Sequence, residues 1–115
     1  MHESSITQSI IDSVVDVLER EGIDAPVASV RVLVGVSQGL VPESMRMYYD
    51  MQSPGTILEM SELIVETQRM VAHCDICDID RELDIPVMFC PECGAVMKLV
   101  KGDEITIQAI EVDDD

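Results

Sequence analysis

Apolar residues recur at Ile6, Ile10, Val14, Val17 and Leu18, while Asp12, Asp16 and Glu19 fall on the opposite face. Steps of three and four predict an amphipathic helix from about Ser5 to Glu21. Ser5 with Gln8 resembles a capping box, and Gly22 stands where a left-handed stop belongs. The period then changes. In "VASVRVLVGV" the residues Val30, Val32, Val34 and Val36 alternate, as in a strand with one buried face. After "SQGL", Pro42 suits the first turn of a second helix, "PESMRMYYDMQ", with Met45, Tyr48 and Tyr49 on its inner face. "SPGT" is a loop. "SELIVETQRMVAH" reads as a strand with Leu63 and Val65 on one face, and "DEITIQAIEV" alternates through Ile105 and Ile107.

Between these last two strands lie all four cysteines, as Cys74-x-x-Cys77, twelve residues, then Cys90-x-x-Cys93. Two residues between thiolates let each pair bind one tetrahedral metal from a tight turn. The intervening stretch is long enough for a small hairpin that brings the pairs together. Four thiolates close the coordination sphere of Zn(II), the mark of a structural site. Gly94 follows the second pair and takes positive φ freely. Asp78 holds the matching place after the first and tolerates that conformation better than most residues. An iron centre of rubredoxin type uses similar ligands. His73 precedes the first cysteine. Its plain reading is an exposed imidazole, and its sharper one is a hydrogen-bond donor behind the ligands or an alternative ligand.

The pattern therefore predicts an α+β fold, a small β-sheet with two helices, carrying an inserted zinc-ribbon-like module. Its parts are 1–72 completed by a C-terminal strand at 103–112, the module at 73–98, and an acidic tail at 113–115. The topology follows from the order of the elements.

Composition narrows the chemistry. The 115 residues have few aromatics, Phe89, Tyr48 and Tyr49 without tryptophan, so the core is aliphatic with help from eight methionines. A chain this small is marginal without a metal or disulfide staple. The net charge of −16 would repel a phosphate backbone and argues against a nucleic-acid ligand. No apolar run reaches about 18 residues and no basic segment precedes an apolar one, so neither a membrane span nor a secretory leader is expected. The expectation is a cytoplasmic protein, where paired cysteines bind metal rather than each other. No nucleophile–base pair is evident, and "GVSQGL" lacks the lysine and spacing of a phosphate loop, so no enzymatic activity is expected.

One of only two histidines is the second residue. The Met1 α-amine, the backbone nitrogen of residue 2 and the His2 imidazole can form fused chelate rings. Ni(II) and Cu(II) favour such tetragonal nitrogen sites. Glu3 is a further candidate, through its backbone nitrogen or through a carboxylate in the outer shell.

"MHESSITQSI", "VLVGVSQGLVPESM", "SELIVE", the doubled CxxC and "GDEITIQAIEV" occur in one order across nearly the whole chain. Together they resemble the HypA/HybF family of hydrogenase-maturation nickel metallochaperones. The resemblance implies that Met1 and His2, with Glu3 as a further candidate, bind the nickel that is passed on. It implies that Cys74, Cys77, Cys90 and Cys93 hold a structural zinc. It also implies a HypB-like GTPase and a [NiFe]-hydrogenase large-subunit precursor as partners, and leaves a homodimer open. Ser4 stands where relatives often carry a larger apolar residue, and Tyr48 and Tyr49 replace a more Phe-rich stretch. Two rivals remain. A zinc-ribbon scaffold would explain the cysteines but leave "MHE" to chance, and a rubredoxin-like electron carrier would need iron on the same ligands.

Overall fold

A computed structural model describes residues 3–113. The elements run α1 (Glu3–Arg20), β1 (Val27–Gly35), a short 3-10 turn (Val36–Gln38), α2 (Pro42–Gln52), β2 (Glu62–Gln68), β3 (Met70–Cys74), β4 (Ile79–Leu83), β5 (Lys98–Lys101) and β6 (Ile105–Val112). The strands form two three-stranded sheets, ordered β2-β1-β6 and β4-β3-β5. The architecture is α+β, and the last strand returns to pair with β1 as its position in the sequence suggests.

The chain divides into two compact units. One is built from Leu40–Glu66 with the chain up to Val32 and from Ile107 on, the other from Leu33–Gly39 and Thr67–Thr106. In the first, α1 buries Thr7, Ile10, Ile11, Val14 and Leu18. Ile11 and Thr7 join the inner stripe, while Ile6 and Val17 sit at its half-buried margins. The helix extends to Glu3, so Ser5 lies within it rather than capping it, and the Gln8 amide donates to Asp12. At the other end Gly22 adopts φ 68°, and Ile23 N–H returns to the Leu18 carbonyl at 2.9 Å. That left-handed stop costs a glycine little because it has no Cβ.

Val30 and Val32 of β1 are fully buried, as are Met45 and Tyr49 of α2 and Leu58. Tyr48 is only half-buried. Met45 and Tyr49 are four apart on one face of α2, and Tyr48 lies about 100° from Tyr49 around the helix axis. The Tyr49 hydroxyl bonds the Ser61 hydroxyl, so its polar end is satisfied inside the core.

"SELIVETQRMVAH" is two strands rather than one. Burial changes across it: Leu63 is buried with Ile64 and Val65 half-buried, then Met70, Val71, Ala72 and Cys74 are all buried. One alternating face does not run through both halves, and they pair in different sheets. The break falls at Arg69, whose guanidinium leaves the first sheet's pattern to pair with Glu82 at 2.6 Å and Asp84 at 2.7 Å. Gly102 packs onto the same corner with φ 100°. A Cβ there would lie 2.6 Å from the Met70 Cα, so only glycine fits.

Candidate metal centre

The second sheet builds the cysteine site. β3 and β4 pair antiparallel, with His73 opposite Asp80 and Cys74 opposite Ile79, so Cys74 ends β3 and Cys77 falls in the connecting turn. The second pair sits in an irregular turn after a bridge between Phe89 and Val96. Both turns close alike: Asp78 N–H donates to the Cys74 carbonyl at 2.7 Å, and Gly94 N–H to the Cys90 carbonyl at 2.9 Å. The residue after each second cysteine is left-handed, Asp78 at φ 57° and Gly94 at φ 76°. The spacing signals this conformation for both, and aspartate is among the few side chains that tolerate it.

All four sulfur atoms lie within 4.8 Å of one another. None is in a disulfide. The Cys74 and Cys93 sulfurs are 3.5 Å apart, and those of Cys77 and Cys90 are 3.9 Å apart. Four thiolates at tetrahedral Zn–S distances would stand about 3.8 Å from each other. The donor set therefore fits a tetrahedral thiolate-binding metal. Cys74 and Cys90 are buried, Cys77 is half-buried and Cys93 is exposed. Backbone N–H groups of Cys93 and Glu92 pull the Cys90 thiol down to about 6. Shared protons with Cys93 above all, together with burial, push the Cys77 thiol up to about 12. Four sulfurs this close cannot all ionise without a cation, so a metal entering here displaces protons.

His73 is turned to carboxylates instead of sulfur. Its Nδ1 lies 2.8 Å from Asp80, and its Nε2 lies 3.5 Å from Asp78 and 3.6 Å from Asp75. The hydrogen bond to Asp80 raises the imidazole above its ordinary value.

Arg81 carried no expectation from the sequence, yet it lies against the cysteines. It is the single basic residue between Cys74 and Cys93. Its position on β4 points inward, and it stays only 19% exposed. The thiols of Cys90 and Cys77 adjoin its guanidinium. The signal was a lone cation among Asp78, Asp80, Glu82 and Asp84.

Met1 and His2 lie outside the described residues, as do Asp114 and Asp115 of the tail. Glu3 opens α1, and its carboxylate accepts the Val41 backbone N–H at 3.1 Å. That bond holds the Glu3 carboxyl below its ordinary value and occupies the free N–H ahead of α2. With Ser4 in place of a larger apolar residue, the first turn is secured by polar contacts. The Gln52 amide donates to the Ser4 carbonyl at 3.0 Å and accepts from the fully buried Thr7 hydroxyl at 2.7 Å. The sequence offered no sign of this pairing, because Thr7 and Gln52 are 45 residues apart.

Comparison with known proteins decides the family. The model for "Hydrogenase/urease nickel incorporation, metallochaperone, hypA" matches residues 1–112. The chain belongs to the HypA family. The hydrogenase maturation factor HypA of Geobacter sp. (strain M21) is 36% identical over 98% of this chain and 100% of its own. That of Chlorobium limicola is 34% identical over 99% and 98%. The solution structure of the nickel metallochaperone HypA from Helicobacter pylori superposes with a TM-score of 0.64, covering 97% of each chain at 15% identity, and so shares the fold. The HypA family comprises metallochaperones of nickel incorporation into hydrogenase and urease, so the role is carriage and maturation. Among the described residues, no helix is long and apolar enough to cross a membrane.

Proposed function

We propose that this HypA-family chain carries Ni(II) at its N-terminus and hands it to the machinery that matures [NiFe]-hydrogenase, while Cys74, Cys77, Cys90 and Cys93 hold a structural zinc. The observation that carries the reading is the family match beginning at Met1, with His2 next to it. When Met1 is the mature terminus, its α-amine, the residue-2 backbone nitrogen and the His2 imidazole supply three nitrogen donors in fused rings. Tetragonal nitrogen suits Ni(II) and does little for Zn(II), whereas closed tetrahedral sulfur suits Zn(II). The two metals are thereby sorted by donor type. The low ligand count lets an acceptor replace nickel ligands one at a time, and the closed thiolate site retains its metal. Glu3 contributes through its backbone nitrogen, since its carboxylate is engaged with Val41.

The work is divided along the chain. Residues 1–72 with 103–112 carry nickel, 73–98 hold zinc, and 113–115 form an acidic tail. The acceptors are a HypB-like GTPase and the hydrogenase large-subunit precursor, met in the cytoplasm, and no bond-making catalysis is involved.

Calorimetric nickel titration of four zinc-loaded proteins tests this: the native chain, an N-terminally extended chain, His2→Ala and His73→Ala. The α-amine has an ordinary pKa of about 7.7–8.0, so nickel displaces its proton near neutral pH. Extension converts that amine into an amide and should abolish specific binding, as should His2→Ala. His73→Ala should leave nickel affinity intact. Full-affinity binding by the extended chain would remove the terminal chelate and leave a zinc-ribbon interaction module.

A further inference from the structure

Arg81 is an unusual residue for its place. Its Nε and Nη2 are buried from solvent and have no well-formed hydrogen-bond partner. A buried donor without a partner is costly, more so on a charged group. The nearest carboxylate oxygen is Glu92 Oε2, 3.3 Å from Nη2, and Glu92 sits inside the second turn between Cys90 and Cys93. The other polar neighbours are the sulfurs of Cys90 and Cys77. The register of the sheet explains the placement. On β4, Arg81 and Leu83 are half-buried while Asp80 and Glu82 are exposed, so alternation turns the guanidinium toward the cysteines. Ala72 is the residue opposite Arg81 on β3, and it leaves room beside the sulfurs.

A divalent metal on four thiolates carries a net charge of −2. The chain around it is already at −16, with seven basic residues in all. Burying a further dianion here without a cation would be strongly unfavourable. The guanidinium is a planar, permanently charged group whose donors lie in a fork, suited to spanning two acceptors.

We propose that Arg81 is the counter-cation of the four-cysteine centre, its unpartnered Nε and Nη2 turning to the Cys90 and Cys77 sulfurs once these are metal-bound thiolates, and so controlling how firmly the metal is held. Glu92 holds the guanidinium in this position from the second turn. The assignment rests on the reading of the four cysteines as a metal centre. Arg81 is a positioning residue: it orients and neutralises ligands. Groups behind metal ligands commonly shift affinity 10- to 100-fold. Their hydrogen bonds to sulfur also draw charge from the thiolates and make them poorer nucleophiles.

The test uses the full chain, loaded with zinc, and follows zinc release to excess chelator with a chromogenic indicator. Arg81→Gln should release zinc at least about 10-fold faster than wild type. Arg81→Lys keeps the charge without the fork, so it should fall between the two. Glu92→Gln, which leaves Arg81 in place, should accelerate release by a few-fold. Cobalt(II)-substituted protein supplies the second readout. In Arg81→Gln the sulfur-to-cobalt charge-transfer band should move to lower energy while the ligand-field bands keep their tetrahedral pattern. A residue acting only by packing would leave that band where it is. Unchanged release and an unchanged band in Arg81→Gln, with wild type binding one metal, would overturn the proposal and leave the metal centre standing. Should Arg81→Gln fail to fold, wild-type behaviour of both Arg81→Lys and Glu92→Gln would overturn it equally. A wild-type chain that binds neither zinc nor cobalt would overturn the metal centre and Arg81's role together.

Discussion

The first unit buries Ile10, Ile11, Val14, Leu18, Val27, Val30, Val32, Met45, Tyr49, Leu58 and Leu63, a full aliphatic interior around one tyrosine. The stretch from Ala72 to Lys101 buries only Ala72, Cys74, Cys90 and Met97, two of them cysteines. The same stretch leaves Ile76, Phe89, Val96 and Val100 more than half exposed. One region coheres by removing apolar surface from water, at roughly 25 cal/mol per Å². The other has only a small core, in which Leu83 and Met88 pack against Ala72, Met97 and the cysteines, while many of its large apolar side chains face solvent. Such a region gains most from a metal on its four cysteines, beside its two short strand pairings. A chain can thus hold two regions whose stability depends on different physics and fails under different conditions.

Removing the metal should separate the two regions most sharply. For small zinc modules the metal-binding free energy is about 10–16 kcal/mol and serves as folding free energy. Cys90→Ser, or chelation of the wild type, should abolish zinc binding and the exchange protection of β3, β4 and β5. Protection in α1 and α2 should persist. Hydrogen exchange resolved by peptide measures both at once, and equal loss in the two regions would mean that they share one source of stability.

Leu58→Ala works from the other side. Leu58 is fully buried in the first unit, and a leucine truncated in such a core costs about 2–5 kcal/mol. The denaturant midpoint of the α1 and α2 signal should fall, while zinc stoichiometry stays at one per chain.

Tyr49 offers a pH test of the first unit alone. Burial raises its phenol above the ordinary value of 10.0, against a smaller opposing pull from the Ser61 hydrogen bond. A group whose folded value is raised contributes stability that is intact below the unfolded value. That stability is lost as pH climbs through the folded one. In a Tyr48→Phe background, phenolate absorbance should therefore appear late and together with loss of helix signal. Tyr49→Phe should remove this alkaline step. It should also cost about 1 kcal/mol at neutral pH, because Ser61 keeps its bond to the Leu58 carbonyl.

The smallest effect is expected at Arg69. Its pairs with Glu82 and Asp84 are exposed, so Arg69→Ala should cost no more than about 1 kcal/mol in the second unit. That loss should shrink as salt is added, because exposed pairs are screened. Thermal unfolding at low and high ionic strength reads the difference.

The cysteine spacing, Gly94 and Asp78 were sufficient to foresee two matching turns and four converging sulfurs, because the constraint is local: each pair lies within one turn. The periodicity of α1 and the alternation of β1 and β6 were legible for the same reason, since each depends on residues a few positions apart. Two inner-face assignments were only partly right. Ile11 displaced Ile6 from the buried stripe, and Tyr48 yielded to Tyr49, because helical periodicity leaves a face uncertain by about one residue.

What the sequence determined by itself was therefore the helices, the alternating strands, the metal-type cysteine set, the −16 charge and the resemblance that named the family. Only the tertiary structure decided that the strand after Ser61 divides at Arg69 into two sheets. It also decided that Gln52 secures the first turn through Thr7 and Ser4, and that Arg81 is turned inward against the sulfurs. These depend on which strands pair and in which register, and on partners brought together by the fold. Hydrophobic pattern specifies which face of an element is buried. It does not specify what that face meets, and for a lone arginine among aspartates the identity of that neighbour is what separates a solvated charge from the counter-cation of a metal centre.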